Sequence, residues 1–529
     1  MMNKCSAKNA IILAAGVGMR MVPINTQYPK GLIEVNGEKI IERIISQLHE
    51  AGITEIHVVV GFLKEKYEYL MDNYDVNLIV NREYSVKNNM HSLFLASKYL
   101  SNTYIIPSDI YCKNNPFLDS PDYSWYMVTN TTGKNSNVQL TSDNELLYCK
   151  QKRKCNKMIG IAYLENEVSK KVKENLKELN GQAEFDSAFW EDALFENDKM
   201  LAKAFVVNVE DTVEIDTYEQ LRELDHHSNQ LKNDAIDIIC ETLNVGPTDI
   251  SDIRVLKKGM TNRSFYFCCN NIKYIMRIPG EGTDQLINRK EEAAVYGVIN
   301  PYQIADNVLY MNPDNGYKIT EFIPNVRVCD SESKSDLKAC MDYLRDFHNR
   351  KLKVNHFFDL FEKIDFYESL WGGKASLYSD YGKTKANVFK LRKFIDSLEK
   401  EYSLIHIDAV PDNFLMYTKE GEQHIKLIDW EYSSMQDPHV DIAMFCIYSL
   451  YHRPQVDELI DIYFEGKCDP VVRIKIYAYI AICGLLWSNW CEYKAQLGVE
   501  FGEYSLRQYR YAKEYYKIVV KELGDAYEL

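Results

Sequence analysis

Between residues 10 and 110 four short apolar runs, AIILAA, EIHVVVG, VNLIVN and TYIIPSDI, alternate with stretches of helical periodicity. The first such stretch, residues 38–51, places Ile40, Ile41, Ile44, Ile45 and Leu48 on one helix face, and Gly52 stands where a helix-ending glycine belongs. This alternation leaves few folding solutions. Strands that are apolar on both faces, joined by crossover helices, pair in parallel within a doubly wound sheet. An α/β fold with a mostly parallel sheet is therefore expected for the N-terminal part. Such sheets bind ligands beyond the carboxyl ends of their strands. The loop after Leu13 and the loop holding Asp109 both fall at such ends.

The character changes after EIDTYEQLREL. Residues 226–234, HHSNQLKND, are polar and are expected to link two domains, 1–228 and 229–529. Beyond them, the runs SFYFCC and IKYIMRI flank Asn270-Asn271 as a hairpin would, and long helical segments follow, an α+β arrangement. A chain of 529 residues is long enough for two such domains. Its net charge of −15 makes it a poor nonspecific partner for nucleic acid or anionic membrane. Thirteen cysteines without a CxxC pair suggest reduced thiols and a cytoplasmic protein. The N-terminus lacks the pattern of a signal peptide, and the longest apolar run, residues 476–487, is too short to span a bilayer. The 38 tyrosines, 21 phenylalanines and 6 tryptophans, set among many carboxylates, suit cationic ligands, although tyrosine also fills half-buried positions.

Residues 11–37 read IILAAGVGMRMVPINTQYPKGLIEVNG. Gly16 and Gly18 let backbone N–H groups approach phosphate oxygens, and Arg20 and Lys30 add positive charge against a triphosphate. The GK[ST] of a Walker loop and the GxGxxG of a dinucleotide fold are both missing. The combination LAAGxGxRM…PKGLIEVNG resembles the signature of sugar-phosphate and choline-phosphate nucleotidyltransferases. That resemblance implies a nucleotidyltransferase fold with Gly16, Gly18, Arg20 and Lys30 at the nucleotide, Arg20 and Lys30 serving the reacting phosphate. It also implies Mg²⁺ held by Asp109 and Asp216, although Asp216 also reads as the start of the helix in TYEQLREL. Asn88-Asn89 in VKNNMHSL and the segment FWEDAL resemble the Lic-type choline-phosphate branch. This implies Asn89, Trp190 and either Glu191 or Asp192 at the acceptor, with Trp190 facing a quaternary ammonium. A half-buried structural Trp is the alternative for Trp190, as it is for Trp125.

A second constellation lies further on. His406, Asp408 and Asn413 in LIHIDAVPDNFLM, followed by Asp429 in IKLIDWEY, match the mechanics of a kinase catalytic loop. Asp408 would accept a hydroxyl proton, Asn413 and Asp429 would hold Mg²⁺, and His406 would brace the loop. Asp429 is followed by Trp430 and Glu431 rather than Phe-Gly. With that departure, residues of about 250–515 resemble choline and ethanolamine kinases and, more widely, aminoglycoside phosphotransferases. A protein-kinase-like fold is implied. Gly259, Thr261 and Asn262 would form its phosphate loop, Arg277 would replace the strand lysine, and Glu292 would pair with it, Glu291 being the rival. Residues 318–323 would read adenine, His348 would be structural, and Asp441 would brace the catalytic loop through backbone N–H groups. A choline pocket is implied at Trp430, Glu431 and Tyr432 and at Trp487 and Trp490, near Tyr493. Two tryptophans three apart share one helix face, which serves a core stripe equally well.

The two resemblances imply consecutive steps: ATP phosphorylates choline, then CMP passes from CTP to phosphocholine, giving CDP-choline and pyrophosphate. Mg²⁺ is the implied cofactor. The implied partners are choline, phosphocholine, ATP and CTP, with neither nucleic acid nor membrane insertion, and the oligomeric state is left open. By the same resemblance a bacterium would use the product to decorate surface glycans. The alternative is a nucleotide-sugar pyrophosphorylase fused to an ethanolamine, amino-alcohol or sugar kinase.

Overall fold

The structure, a computed structural model, describes residues 6–24, 28–133, 136–149, 155–256, 262–280, 286–497, 499 and 501–524. Its contacts gather the chain into two compact units, residues 1–256 with 267–270 and residues 257–266 with 271–529.

In the first unit, strands β1 (Asn9–Ala14), β2 (Glu55–Val60), β3 (Asn77–Val80) and β4 (Thr103–Pro107) pair in parallel in the order β3-β2-β1-β4. Every residue of β1 is buried, as a strand covered on both faces requires. Helix α1 (Ile40–Glu50) precedes β2 and buries Ile40, Ile41, Ile44, Ile45 and Leu48, the stripe its periodicity marks. The wound βαβ part ends at β4. From there the sheet is mixed: β7 (Cys155–Leu164) runs antiparallel to β4 and to β6 (Trp125–Gly133), while β8 (Lys199–Val207) pairs parallel with β6. A separate two-stranded ribbon pairs β5 (Ile110–Cys112) with β9 (Thr212–Glu214). Residues 226–234 do not form a free linker. Ser228, Gln230 and Asn233 are buried, and Ser228 Oγ and Gln230 Oε1 bond the backbone of Glu34 at 3.0 and 2.8 Å. Their polar side chains read as solvent-facing in sequence but satisfy the backbone of a neighbouring loop instead.

In the second unit, β10 (Ile272–Pro279) pairs antiparallel with β12 (Lys318–Glu321), which pairs with β11 (Val308–Met311). Helix α5 (Arg289–Ile299) follows β10 in sequence, capped by Asn288, whose side chain accepts from the N–H groups of Lys290 and Glu291. The helical part surrounds α8 (Pro470–Gln496), which crosses α9 (Glu503–Leu523) so closely at Gly484 that a Cβ there would lie 2.7 Å from Tyr511 Cβ. The expectation of an apolar run too short for a bilayer needs correction. By length and composition this 27-residue helix could cross a membrane, yet 78% of its apolar stretch is buried inside the protein. It is the core helix of the unit, apolar on all sides because other elements cover it.

Candidate active sites

In the first unit the loop after β1 turns at Gly18, where φ is +65° and a Cβ would meet Lys30 Cγ at 2.7 Å. Glycine there permits both the left-handed turn and the passage of the Lys30 stem. Gly16 lies in the same loop with no atom within 4 Å of where its Cβ would be. Lys30 Nζ meets Asp109 Oδ2 at 2.9 Å and also bonds Asp216 Oδ1. Arg20, largely exposed, reaches the other oxygen of Asp216 at 2.9 Å. Asp109 and Asp216 are 107 positions apart; the β5–β9 ribbon brings them together, with Ile215 N bonding Asp109 O at 3.0 Å. Gln220 then fixes Asp216, its Oε1 accepting from the N–H groups of Asp216 and Thr217 at 2.8 and 3.0 Å. Thr217, not Asp216, caps the helix Tyr218–Leu224.

Burial alone would lower the Lys30 pKa, but the two carboxylates outweigh it and hold the ammonium above its usual value. Burial likewise opposes ionisation of Asp216, and Lys30 and Arg20 overcome it, holding that carboxyl below the usual range. Among the described residues no group of three or more His, Cys, Asp or Glu gathers as a metal cage. Two carboxylates converging on one point are the donor set that Mg²⁺ uses when phosphates and water supply its remaining ligands, so Asp109 and Asp216 fit the ion.

The expected acceptor residues divide. Trp190 is fully buried against Tyr126, ring centroids 5.9 Å apart, within the core that Met90, Leu93 and Val172 share. It is a core residue, not an open face for an ammonium. Asn89 Oδ1 accepts from Trp190 N at 2.8 Å, and Asp192 accepts from Phe189 N at 3.2 Å, so both shape the turn that carries Trp190. Trp125 is also buried, 4.7 Å from the Phe205 ring. Two carboxylates come forward instead. Glu191 accepts from Tyr126 Oη at 3.0 Å, has a buried second oxygen with no hydrogen-bond partner, and is pushed by burial to a pKa of about 7. Glu214, two residues before Asp216, is pushed up by burial and by the Asp216 charge. Glu191 was visible in FWEDAL; Glu214 carried no sequence signal. Trp190→Ala is expected to destabilise the first unit by about 3–5 kcal/mol, as loss of a buried aromatic does, read by urea denaturation.

In the second unit Asn413 lies against Asp408. Asp408 Oδ2 accepts from Asn413 Nδ2 at 3.2 Å, and the same amide bonds Asp408 O at 2.8 Å. Ile407 at φ +69° and Asp429 at φ +67° hold left-handed conformations that non-glycine residues rarely adopt, strain of the kind kept at working loops. Asp441 offsets it, accepting from His406 N and Ile407 N at 3.0 and 2.7 Å while His348 Nε2 lies 3.0 Å from it. His406 bonds Ile428 O at 3.0 Å, and burial lowers its pKa to about 4, so it braces the loop as a neutral ring. Burial, helped by the Asp429 charge, pushes Asp408 up to about 7. Burial and Glu431 do the same to Asp429.

Arg277 on β10 forms a two-pronged pair with Glu292 on α5, Nη2 to Oε2 at 2.9 Å. Glu292 rather than Glu291 is thus the partner. Gly259 and Thr261 lie outside the described residues, as does the side chain of Asn262, whose backbone opens a strand. Trp430 does not line a pocket. It is fully buried, donates to Leu427 O at 2.8 Å and packs on His406 with centroids 4.5 Å apart. Glu431 is ion-paired with Arg289 at 3.3 Å, so its charge is already balanced. Trp487 and Trp490 stack with centroids 6.2 Å apart, each slightly exposed, and Tyr432 stands 6.1 Å from Trp487. Tyr448 Oη donates to Asp412 Oδ2 at 2.6 Å, four residues after Asp408, and Tyr504 stands 6.1 Å from Tyr448, so these rings border the loop that carries Asp408. Tyr448 and Tyr504 had no signal in a chain with 38 tyrosines. For a metal, Asp429 and the amide oxygen of Asn413 are hard oxygen donors on neighbouring segments, joined by the Ile428 N to Asn413 O bond at 3.0 Å, and fit Mg²⁺.

Comparison with known proteins follows this division. Residues 10–119 match the MobA-like NTP transferase domain, and residues 253–461 match choline/ethanolamine kinase. A choline-phosphate cytidylyltransferase of Streptococcus pneumoniae is 30% identical over 231 residues, 41% of this chain and 96% of that protein. A 2-aminoethylphosphonate cytidylyltransferase of Lancefieldella rimae is 31% identical over 226 residues, 41% of this chain and 92% of that protein. A solved structure, the choline kinase LicA of Streptococcus pneumoniae, is 30% identical and covers 53% of this chain and 98% of its own, with a TM-score of 0.47.

Proposed function

We propose that this chain, which belongs to the choline-phosphate cytidylyltransferase family in its N-terminal half and carries a choline/ethanolamine kinase domain behind it, makes CDP-choline in two steps. The observation that carries the reading is the pairing of two complete charge constellations: Lys30 between Asp109 and Asp216, and Asp408 with Asn413 beside an aromatic wall. We place the functional boundary near residue 256 rather than after 228, because Ser228 and Gln230 bond Glu34 within the first unit, and we place the protein in the cytoplasm, where ATP and CTP are found. Its partners are these small molecules rather than nucleic acid or membrane. Decoration of a bacterial surface glycan with phosphocholine is the use we assign to the product.

In the kinase step the choline hydroxyl gives its proton to Asp408 as its oxygen attacks the γ-phosphorus of ATP, and ADP leaves. Asn413 aims the Asp408 carboxylate, Arg277 carries the positive charge facing the nucleotide, and Trp487, Trp490 and Tyr432 hold the trimethylammonium. In the transfer step a phosphate oxygen of phosphocholine attacks the α-phosphorus of CTP, and pyrophosphate leaves. Gly16 and Gly18 admit the phosphates to the backbone, and Arg20 and Lys30 balance the charge that develops. Glu191 and Glu214 supply the negative environment of the acceptor ammonium. Asp109 and Asp216 in one unit, and Asn413 and Asp429 in the other, would hold Mg²⁺, which when bound would supply positive charge against the phosphates.

The test is a coupled assay: choline, ATP and CTP in, CDP-choline measured out. Absence of CDP-choline with both Mg²⁺ and an intact fold would sink the reading. A second reading of the N-terminal half has its own support in the relative that acts on 2-aminoethylphosphonate; offered both acceptors, the protein should prefer phosphocholine. A pH dependence also follows. Asp408 must be ionised to accept a proton, and its pKa lies near 7. kcat/KM for choline should therefore be flat above about pH 8 and fall about tenfold per unit well below 7.

A further inference from the structure

We infer that Asp412 is the carboxylate by which the kinase site selects a cationic acceptor, an inference that rests on the choline kinase reading above. Binding of a quaternary ammonium calls for aromatic faces together with negative charge that no protein cation has already cancelled. The faces are present as a continuous arc. From the Tyr432–Trp487–Trp490 group it continues to Phe501, 5.3 Å from Trp490, then to Tyr504 at 6.4 Å and Tyr448 at 6.1 Å. The arc ends on Asp412, whose Oδ2 accepts from Tyr448 Oη at 2.6 Å.

The other carboxylates along this arc are committed elsewhere. Asp408 is the base, and Asp429 suits the metal. Glu431 is balanced by Arg289. Glu492, on the helix that carries the Trp pair, accepts from Ser376 Oγ at 2.8 Å and Leu377 N at 2.9 Å. Asp412 is exposed and makes no ion pair among the described residues. It stands on the short turn Pro411–Asn413, four residues after the base, so the chain itself keeps its charge close to Asp408. A negative charge in that position attracts an ammonium while the hydroxyl two carbons away meets Asp408.

The experiment compares choline with 3,3-dimethylbutan-1-ol, its neutral carbon isostere, in the full chain. Asp412→Asn keeps an oxygen that can accept from Tyr448 and removes only the charge. It should raise KM for choline about tenfold, leave kcat/KM for the isostere unchanged, and leave cytidylyl transfer untouched. Asp412→Glu should restore the preference for choline. A parallel fall with both alcohols would overturn the inference, because Asp412 would then act on the base or the loop rather than on the ammonium. Unchanged kinetics with both would overturn it as well. A parent protein that phosphorylates neither alcohol would show instead that the choline kinase reading itself fails.

Discussion

Replacement of Asp408 by asparagine is expected to lower choline phosphorylation at least about a thousandfold, within the range that general-base catalysis supplies. The argument is geometric. Asp408 is the carboxylate that Asn413 orients at 3.2 Å, on a loop whose left-handed Ile407 is held by Asp441. Asparagine preserves size and hydrogen-bonding capacity while removing the proton acceptor. Cytidylyl transfer from added phosphocholine should not change, since its residues belong to the other compact unit. Both activities are measured on one preparation by following ADP and pyrophosphate separately. A kinase rate that survives would remove Asp408 from the mechanism; loss of both activities would show that the two chemistries are not independent.

The second large effect lies at Lys30. Lys30→Met should reduce CMP transfer by about a thousandfold, the scale seen when a preorganised charge at a reacting phosphate is removed. It should also alter the protein before any substrate binds. Lys30 Nζ bridges Asp109 and Asp216, and its removal leaves two neighbouring carboxylates facing each other with exposed Arg20 beside Asp216. Their mutual repulsion favours a divalent cation. Thermal unfolding should therefore respond more strongly to millimolar Mg²⁺ in the variant than in the parent. An equal response would mean that the two aspartates do not form a metal site, and an intact transfer rate would exclude Lys30 from the chemistry.

Much of this was legible along the chain. The kinase set is local: His406, Asp408, Asn413 and Asp429 span 24 residues, so their spacing alone carries the loop geometry. The glycine loop and its lysine lie within one strand-to-helix connection, and the 3.6-residue stripe of α1 is a direct record of burial. The aromatic assignments were not legible in the same way. Trp190 and Trp430 occur in motifs beside charged residues, yet both rings are fully buried, whereas Trp487 and Trp490, drawn from a long and largely buried helix, retain a slightly exposed edge. A sequence records that a ring is apolar, not which neighbour covers it.

The order of residues by itself determined the two chemistries, because each depends on side chains a few positions apart whose relative placement a single turn or strand fixes. Tertiary structure alone decided the rest. The β5–β9 ribbon joined Asp109 to Asp216, β10 against α5 chose Glu292 over Glu291, and the packing of α8 and α9 decided which rings form a wall. These are distances between segments remote in sequence, set by which surfaces bury one another, and no local pattern of residues encodes them.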